Sequence, residues 1–149
     1  MDALAWPQSA EQRRDAERRR CPTTVARQID RARTRAHKQA VNLEIAEVAG
    51  YLQENLGQRL TALLAGVSDP KGVGRWARGE NRPQPPMDRR LREAYQVFHV
   101  VQSVESPHTA RAWFIGLNPQ LDEESPAEAI AKDRFREVMA AARSFVAGG

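Results

Sequence analysis

Residues 88–104, DRRLREAYQVFHVVQSV, constrain the fold more than any other part of the chain. Leu91, Ala94, Tyr95, Phe98 and Val101 recur at the spacing of one helical face, and Val97, Val100 and Val104 widen that stripe past half of the surface. A helix this apolar must be central and packed on more than one side. Regular apolar–polar alternation, the mark of a strand, is nearly absent elsewhere, while helical spacing recurs. The expected fold is therefore all-α, with the remaining segments supplying the cover.

Those segments are punctuated by caps, glycines and prolines. Thr24 is placed to cap a long helix running toward Leu56, with Gly57 as its stop. Its first half carries a thin seam of Val25, Ile29, Ala32, Ala36 and Leu43 between arginines, which either meets a partner subunit or stays solvated. Residues 59–65 form a short helix with Leu60, Leu63 and Leu64 on one face, ended by Gly66. Ser68 is the expected cap of a second short helix, with Pro70 in its first turn and Gly79 as its stop. Three prolines in four residues make 80–86 a loop. Beyond the central helix, Pro107 opens an element holding Ala110, Trp113 and Phe114, and Ser125-Pro126 starts a short helix through Ile130. The last helix, from about residue 133, aligns Phe135, Val138, Met139, Ala142 and Phe145. The expected division is a basic arm at 1–40, a helix-turn-helix domain at 41–104 and a C-terminal domain at 105–149.

Two short helices joined by the turn 65–68, the second capped and anchored by Val73 and Trp76, form a helix-turn-helix signature. The short helix before the turn and the central helix should grip the second one by its inner face. Its outward side then presents Lys71, Gly72, Arg75 and Arg78 to a major groove. Arg75 is the candidate for a base contact; Lys71 and Arg78, with Arg59, Arg82, Arg89 and Arg90, suit phosphates. Gly72 and Gly74 are poor helix formers, which suggests a close approach there, as of backbone to DNA. Trp76 belongs to the core.

Charge is distributed in blocks. Residues 1–40 carry ten basic and five acidic side chains, 41–58 none against three, 59–92 eight against three, and 93–149 five against eight. Two basic blocks point to a polyanion partner for part of the molecule and leave the acidic end for another. No run of about 18 apolar residues suggests a membrane span, and the charged beginning does not read as a secretion signal. One cysteine, Cys21, builds neither an internal disulfide nor a multi-cysteine zinc site, and a cytoplasmic protein is the plain expectation. His37, His99 and His108 have no nucleophile or carboxylate at a persuasive spacing, so neither enzyme activity nor a metal or cofactor is expected. His99 reads as a satisfied, partly buried histidine.

The ordered pieces R-W-x-x-G at Arg75, Trp76 and Gly79, Pro83-Gln84, R-L-R-E-A-Y at 90–95, A-W-F at 112–114, N-P-x-L at 118–121, S-P-A-E-A-I at 125–130 and the ending from Val138 to Gly148 make a pattern. From about residue 48 onward the chain resembles the Xre/MbcA/ParS-type antitoxins, which join a helix-turn-helix to a toxin-binding domain. The resemblance implies a dimeric, DNA-binding autorepressor whose cognate toxin carries a RES domain acting on NAD. It also implies that the C-terminal region meets the toxin, with Trp113, Asn118, Phe145, Val146, Gly148 and Gly149 as candidate contacts. Packing inside the domain is the competing reading for Trp113, and an ordinary helix stop for Asn118. The arm at 1–40 departs from compact family members; DNA contact and oligomer contact both remain open for it. A solitary DNA-binding regulator without a toxin is the rival function.

Overall fold

The computed structural model describes residues 24–42 and 44–148, with the side chains of 38–42 outside the description. Expectations for residues 1–23, Cys21 among them, for Leu43 and for Gly149 thus lie outside the described residues. All regular elements described are helical, as expected: α1 Thr24–Asn42, α2 Ile45–Leu56, α3 Gln58–Ala65, α4 Pro70–Ala77, α5 Pro85–Gln102, α6 Pro107–Ile115, a 3-10 turn Pro119–Leu121, α7 Pro126–Ala131 and α8 Phe135–Val146.

Helix α5 is the centre. It buries Leu91, Ala94, Tyr95, Val97, Phe98, Val100 and Val101, and α1, α2, α3, α6, α7 and α8 all pack on it. It starts at Pro85 rather than after the prolines, because Pro85 and Pro86 occupy its first turn, where no N–H is needed. It ends at Gln102, which leaves Val104 exposed. One cluster of buried apolar side chains runs from Ile29 to Val146.

The expected long helix to Leu56 is two helices. Glu44 is extended (φ −62°, ψ 144°) and stands at the N-terminus of α2. The break lets α1 lie along α5 while α2 turns to pack on both α4 and α5 through Ile45, Val48, Ala49, Leu52 and Leu56. The α1 seam therefore has a cover within the chain: Ile29 and Ala36 are buried as α1 lies on α5, while Val25 stays exposed. In α3 the buried residues are Thr61, Ala62, Leu64 and Ala65, and Leu63 faces outward. The Thr61 hydroxyl donates to the Gly57 carbonyl at 2.7 Å, so its burial leaves no polar group unpaired.

Caps at the later helices follow the Ser-Pro signals. Ser106 accepts from the Thr109 N–H, and Ser125 and Glu128 form a reciprocal capping box. In α8 the buried residues are Phe135, Val138, Ala141, Ala142 and Val146, while Met139 and Phe145 are half-buried.

Candidate functional site

The turn between α3 and α4 is made by Gly66, left-handed at φ 81° and ψ 28°, whose N–H donates to the carbonyls of Ala62 and Leu63. The cap of α4 is Asp69, not Ser68: its carboxylate accepts from the Lys71 N–H at 3.0 Å, with Pro70 as the first helical residue. Val73 and Trp76 are buried, as expected for the inner face. The second support of α4 differs from the expectation. It packs on α2 and α3, with α2 taking the place expected of the central helix.

Gly74 leaves room for the side chains at the α2–α3 junction. A Cβ there would lie 3.0 Å from Gln58 Nε2 and 3.7 Å from Gln53 Oε1, so the lack of a side chain serves packing within the protein rather than an approach by DNA. Gly72 is different: a Cβ there meets nothing within 4 Å.

Lys71, Arg75 and Arg78 are exposed and share one face of α4 at i, i+4 and i+7. Among the described residues Lys71, Arg75 and Arg59 form no ion pair. Arg78 donates to Glu80 at 2.8 Å, which raises the guanidinium's pKa and holds the Glu80 carboxyl below its usual range. Arg82 reaches back to Glu44 at 3.1 Å. Arg90, expected at phosphates, is an internal tie instead. It donates to both Asp133 carboxylate oxygens (2.9 and 3.2 Å) and to the Ala65 carbonyl at 3.0 Å, and its side chain is only 17% exposed. The Arg89 guanidinium lies 4.9 Å from the centre of the Phe135 ring.

At the C-terminal end Phe114 is buried and Trp113 is half-buried, its ring 5.4 Å from Phe114 and 6.1 Å from Phe145. The structure thus brings Trp113 and Phe145 together. Ile115 (55% exposed), part of the dense apolar patch that 113–115 form in sequence, and Leu117 (71%), which the sequence reading did not single out, are exposed close by in the chain. Asn118 serves the local backbone: its side chain accepts from the Gln120 N–H at 2.9 Å, and its own N–H donates to the Glu124 carbonyl at 3.1 Å. Val146 is buried at the end of α8, and Gly148 follows it at φ 101° with its N–H on the Phe145 carbonyl. The acidic stretch 122–124 is held by Arg134, which binds Asp122 at 2.9 Å, Glu124 at 3.2 Å and also Glu137. Lys132 pairs with Glu124, and its hydrogen bond leads the causes that lower that carboxyl's pKa.

His99 corrects another expectation. Its ring stacks on Tyr51 at 5.0 Å and sits 4.4 Å from Tyr95, and its buried Nε2 has no hydrogen-bond partner among the described residues. Burial holds its pKa below the ordinary imidazole value. Among the described residues, no group of three or more His, Cys, Asp or Glu side chains could hold a metal ion, and no helix is long and apolar enough to cross a membrane.

The chain therefore offers a cationic helix face and an aromatic, partly exposed C-terminal edge. Over 107 residues it is 31% identical to the probable mycobacterial cidal antitoxin Rv3188 of Mycobacterium tuberculosis, a match covering 71% of this chain and 90% of that protein. The chain belongs to this antitoxin family. No protein-family profile matches this antitoxin-family chain, and no solved structure does.

Proposed function

We propose that the chain neutralises a cognate protein toxin and represses its own operon as a homodimer, reading DNA with α4. The observation that carries the toxin half is the similarity to an antitoxin across nine-tenths of that protein's length. The RES-domain type, acting on NAD, is the toxin class implied by the resemblance at Arg75-Trp76, 112–114, 118–121 and 125–130. Trp113 and Phe145, with Gly148 and Gly149 after them, are the proposed toxin contacts, and Ile115 and Leu117 extend that edge. Asn118 acts there by shaping the 118–124 loop.

The DNA half is supported by Lys71 and Arg75, exposed on the outer face of a capped helix that follows a tight turn. Arg59, Arg78 and Arg82 supply phosphate contacts, the last two by exchanging Glu80 and Glu44 for phosphate. The same feature also fits a solitary DNA-binding regulator. Expressing the adjacent reading frame alone and with this chain separates the two. Growth arrest relieved by co-expression, with copurification, supports the antitoxin; a harmless neighbour that forms no complex leaves the solitary regulator.

A further inference from the structure

Helices α1 and α8 both lie on α5, and an open groove of about 610 Å³ remains between them. Arg33 comes from the α1 wall, Arg89 from the α5 floor, and Arg136 and Arg143 from the α8 wall. Met139, half-buried, and Ala140, exposed, give the groove an apolar strip, beside a Phe135 ring that is buried with the Arg89 guanidinium 4.9 Å from its centre. An adjoining recess of about 530 Å³ shares His37, Arg89, Glu93 and Gln96 with it and extends it toward Pro83 and Pro85. The combined depression is elongated along α5, which suits a chain segment better than a compact ligand.

Its charges are largely uncommitted. Arg92 and Arg82 are bound to Asp88 and Glu44, but Arg136 and Arg143 have no ion-pair partner among the described residues. Arg33 meets Asp30 only at 3.9 Å, with both side chains well exposed. The one carboxyl lining the larger groove, Glu93, is half-buried among them. That carboxyl opposes a phosphate and a carboxylate alike, whereas the apolar strip gives a phosphate backbone nothing to bind. An acidic segment with an apolar ridge meets both the arginines and the strip.

We propose that this groove docks an acidic amphipathic helix of a protein partner, its apolar side chains on Met139 and Ala140 and its carboxylates against Arg33, Arg89, Arg136 and Arg143. The proposal stands apart from the toxin and operator readings, and its test uses neither. The probe is a fluorescein-labelled helical peptide of glutamate with leucine at i, i+3 and i+4 spacing, titrated with the full chain by fluorescence anisotropy. Its controls are the same peptide with lysine for glutamate, and a random-sequence DNA duplex.

The expected result is binding of the glutamate peptide that weakens at least about tenfold on Arg136→Glu with Arg143→Glu, and again on Arg33→Glu from the opposite wall. Both substituted walls are solvent-exposed, and circular dichroism verifies the fold; should the α8 pair disturb it, Arg33→Glu alone decides. The lysine peptide should bind at least about tenfold more weakly than the glutamate one. Absence of glutamate-peptide binding, or equal binding to the variants, overturns the proposal. So does a loss confined to the DNA duplex, which would make the groove a nucleic-acid surface.

Discussion

Gly72→Ala separates what α4 needs for folding from what it needs for DNA. Gly72 is the third residue of α4, and a Cβ there meets nothing within 4 Å, so the methyl group carries no steric cost in the free protein. Replacing glycine within a helix removes backbone freedom from the unfolded chain and should stabilise by about 0.5–1 kcal/mol. For a chain of this length that is a rise in Tm of roughly 1–4 °C. If the backbone at Gly72 approaches DNA closely, the same methyl group lies in the interface and weakens binding. The two effects then have opposite signs. Thermal denaturation followed by circular dichroism gives the first, and anisotropy with DNA from upstream of the chain's own reading frame gives the second. A loss of stability refutes the open placement of Gly72; unchanged DNA affinity refutes the close approach. Gly74→Ala is the internal control. Its methyl group would press on Gln58 Nε2 at 3.0 Å and disturb the 3.3 Å Gln58–Gln53 hydrogen bond, so its gain should be smaller or absent.

Arg90→Ala removes two hydrogen bonds to Asp133 and one to the Ala65 carbonyl from a largely covered site, and urea denaturation should show a loss of about 1–3 kcal/mol; a change within a few tenths contradicts the tie. Phe114→Ala, which removes a fully buried ring packed against Phe98 and the half-buried Trp113, should cost about 3–5 kcal/mol in the same assay. For His99, the unfolded chain takes up a proton near pH 6.5 while burial keeps the folded imidazole neutral to lower pH, so stability should fall as pH drops below about 6.5. His99→Gln should flatten that part of the profile, and an unchanged slope would place the titration elsewhere. Lys71→Ala and Arg75→Ala should each lower DNA affinity, and the loss of Lys71 should reduce the salt-dependence slope by about one; unaltered affinity in both would remove α4 from the interface.

What the sequence made legible was set by local chemistry. The breadth of the apolar stripe on α5, the Ser-Pro starts of α6 and α7 and the glycine stops of α2 and α3 depend on neighbours within a few residues. The direction of helices depends on partners far along the chain, and there the reading diverged. The signal in 24–56 was the phase of the stripe, not its period: Ala36 and Ile45 are nine residues apart, which puts them on opposite sides of a continuous helix, and only a break lets both be buried. Leu63, expected on the apolar face of α3, faces outward while Thr61 is buried, because the inward side of a short helix is decided by the helices packed on it, not by which residue is more apolar. Arg90 looked like its neighbours in a basic run, and only the position of Asp133, distant in sequence, makes it internal. Of the candidate site, the cationic face of α4 was visible from its spacing. Asn118 and Val146 were visible as residues but not in their roles, since a cap and a helix end are settled by backbone geometry.

The Arg90 guanidinium also lies against the turn before α4, where a Cβ on Gly66 would come within 2.6 Å of Nη1. One side chain thus ties the last turn of α3 to the short connection between α7 and α8, where α3 and α7 already pack on each other. Gly66 at φ 81° and Asp133 at φ 62° both hold left-handed backbone, and the one guanidinium lies against both. The turn that leads into α4 and the residues that lead into α8 therefore share a single brace, and a substitution at Arg90 is felt at both.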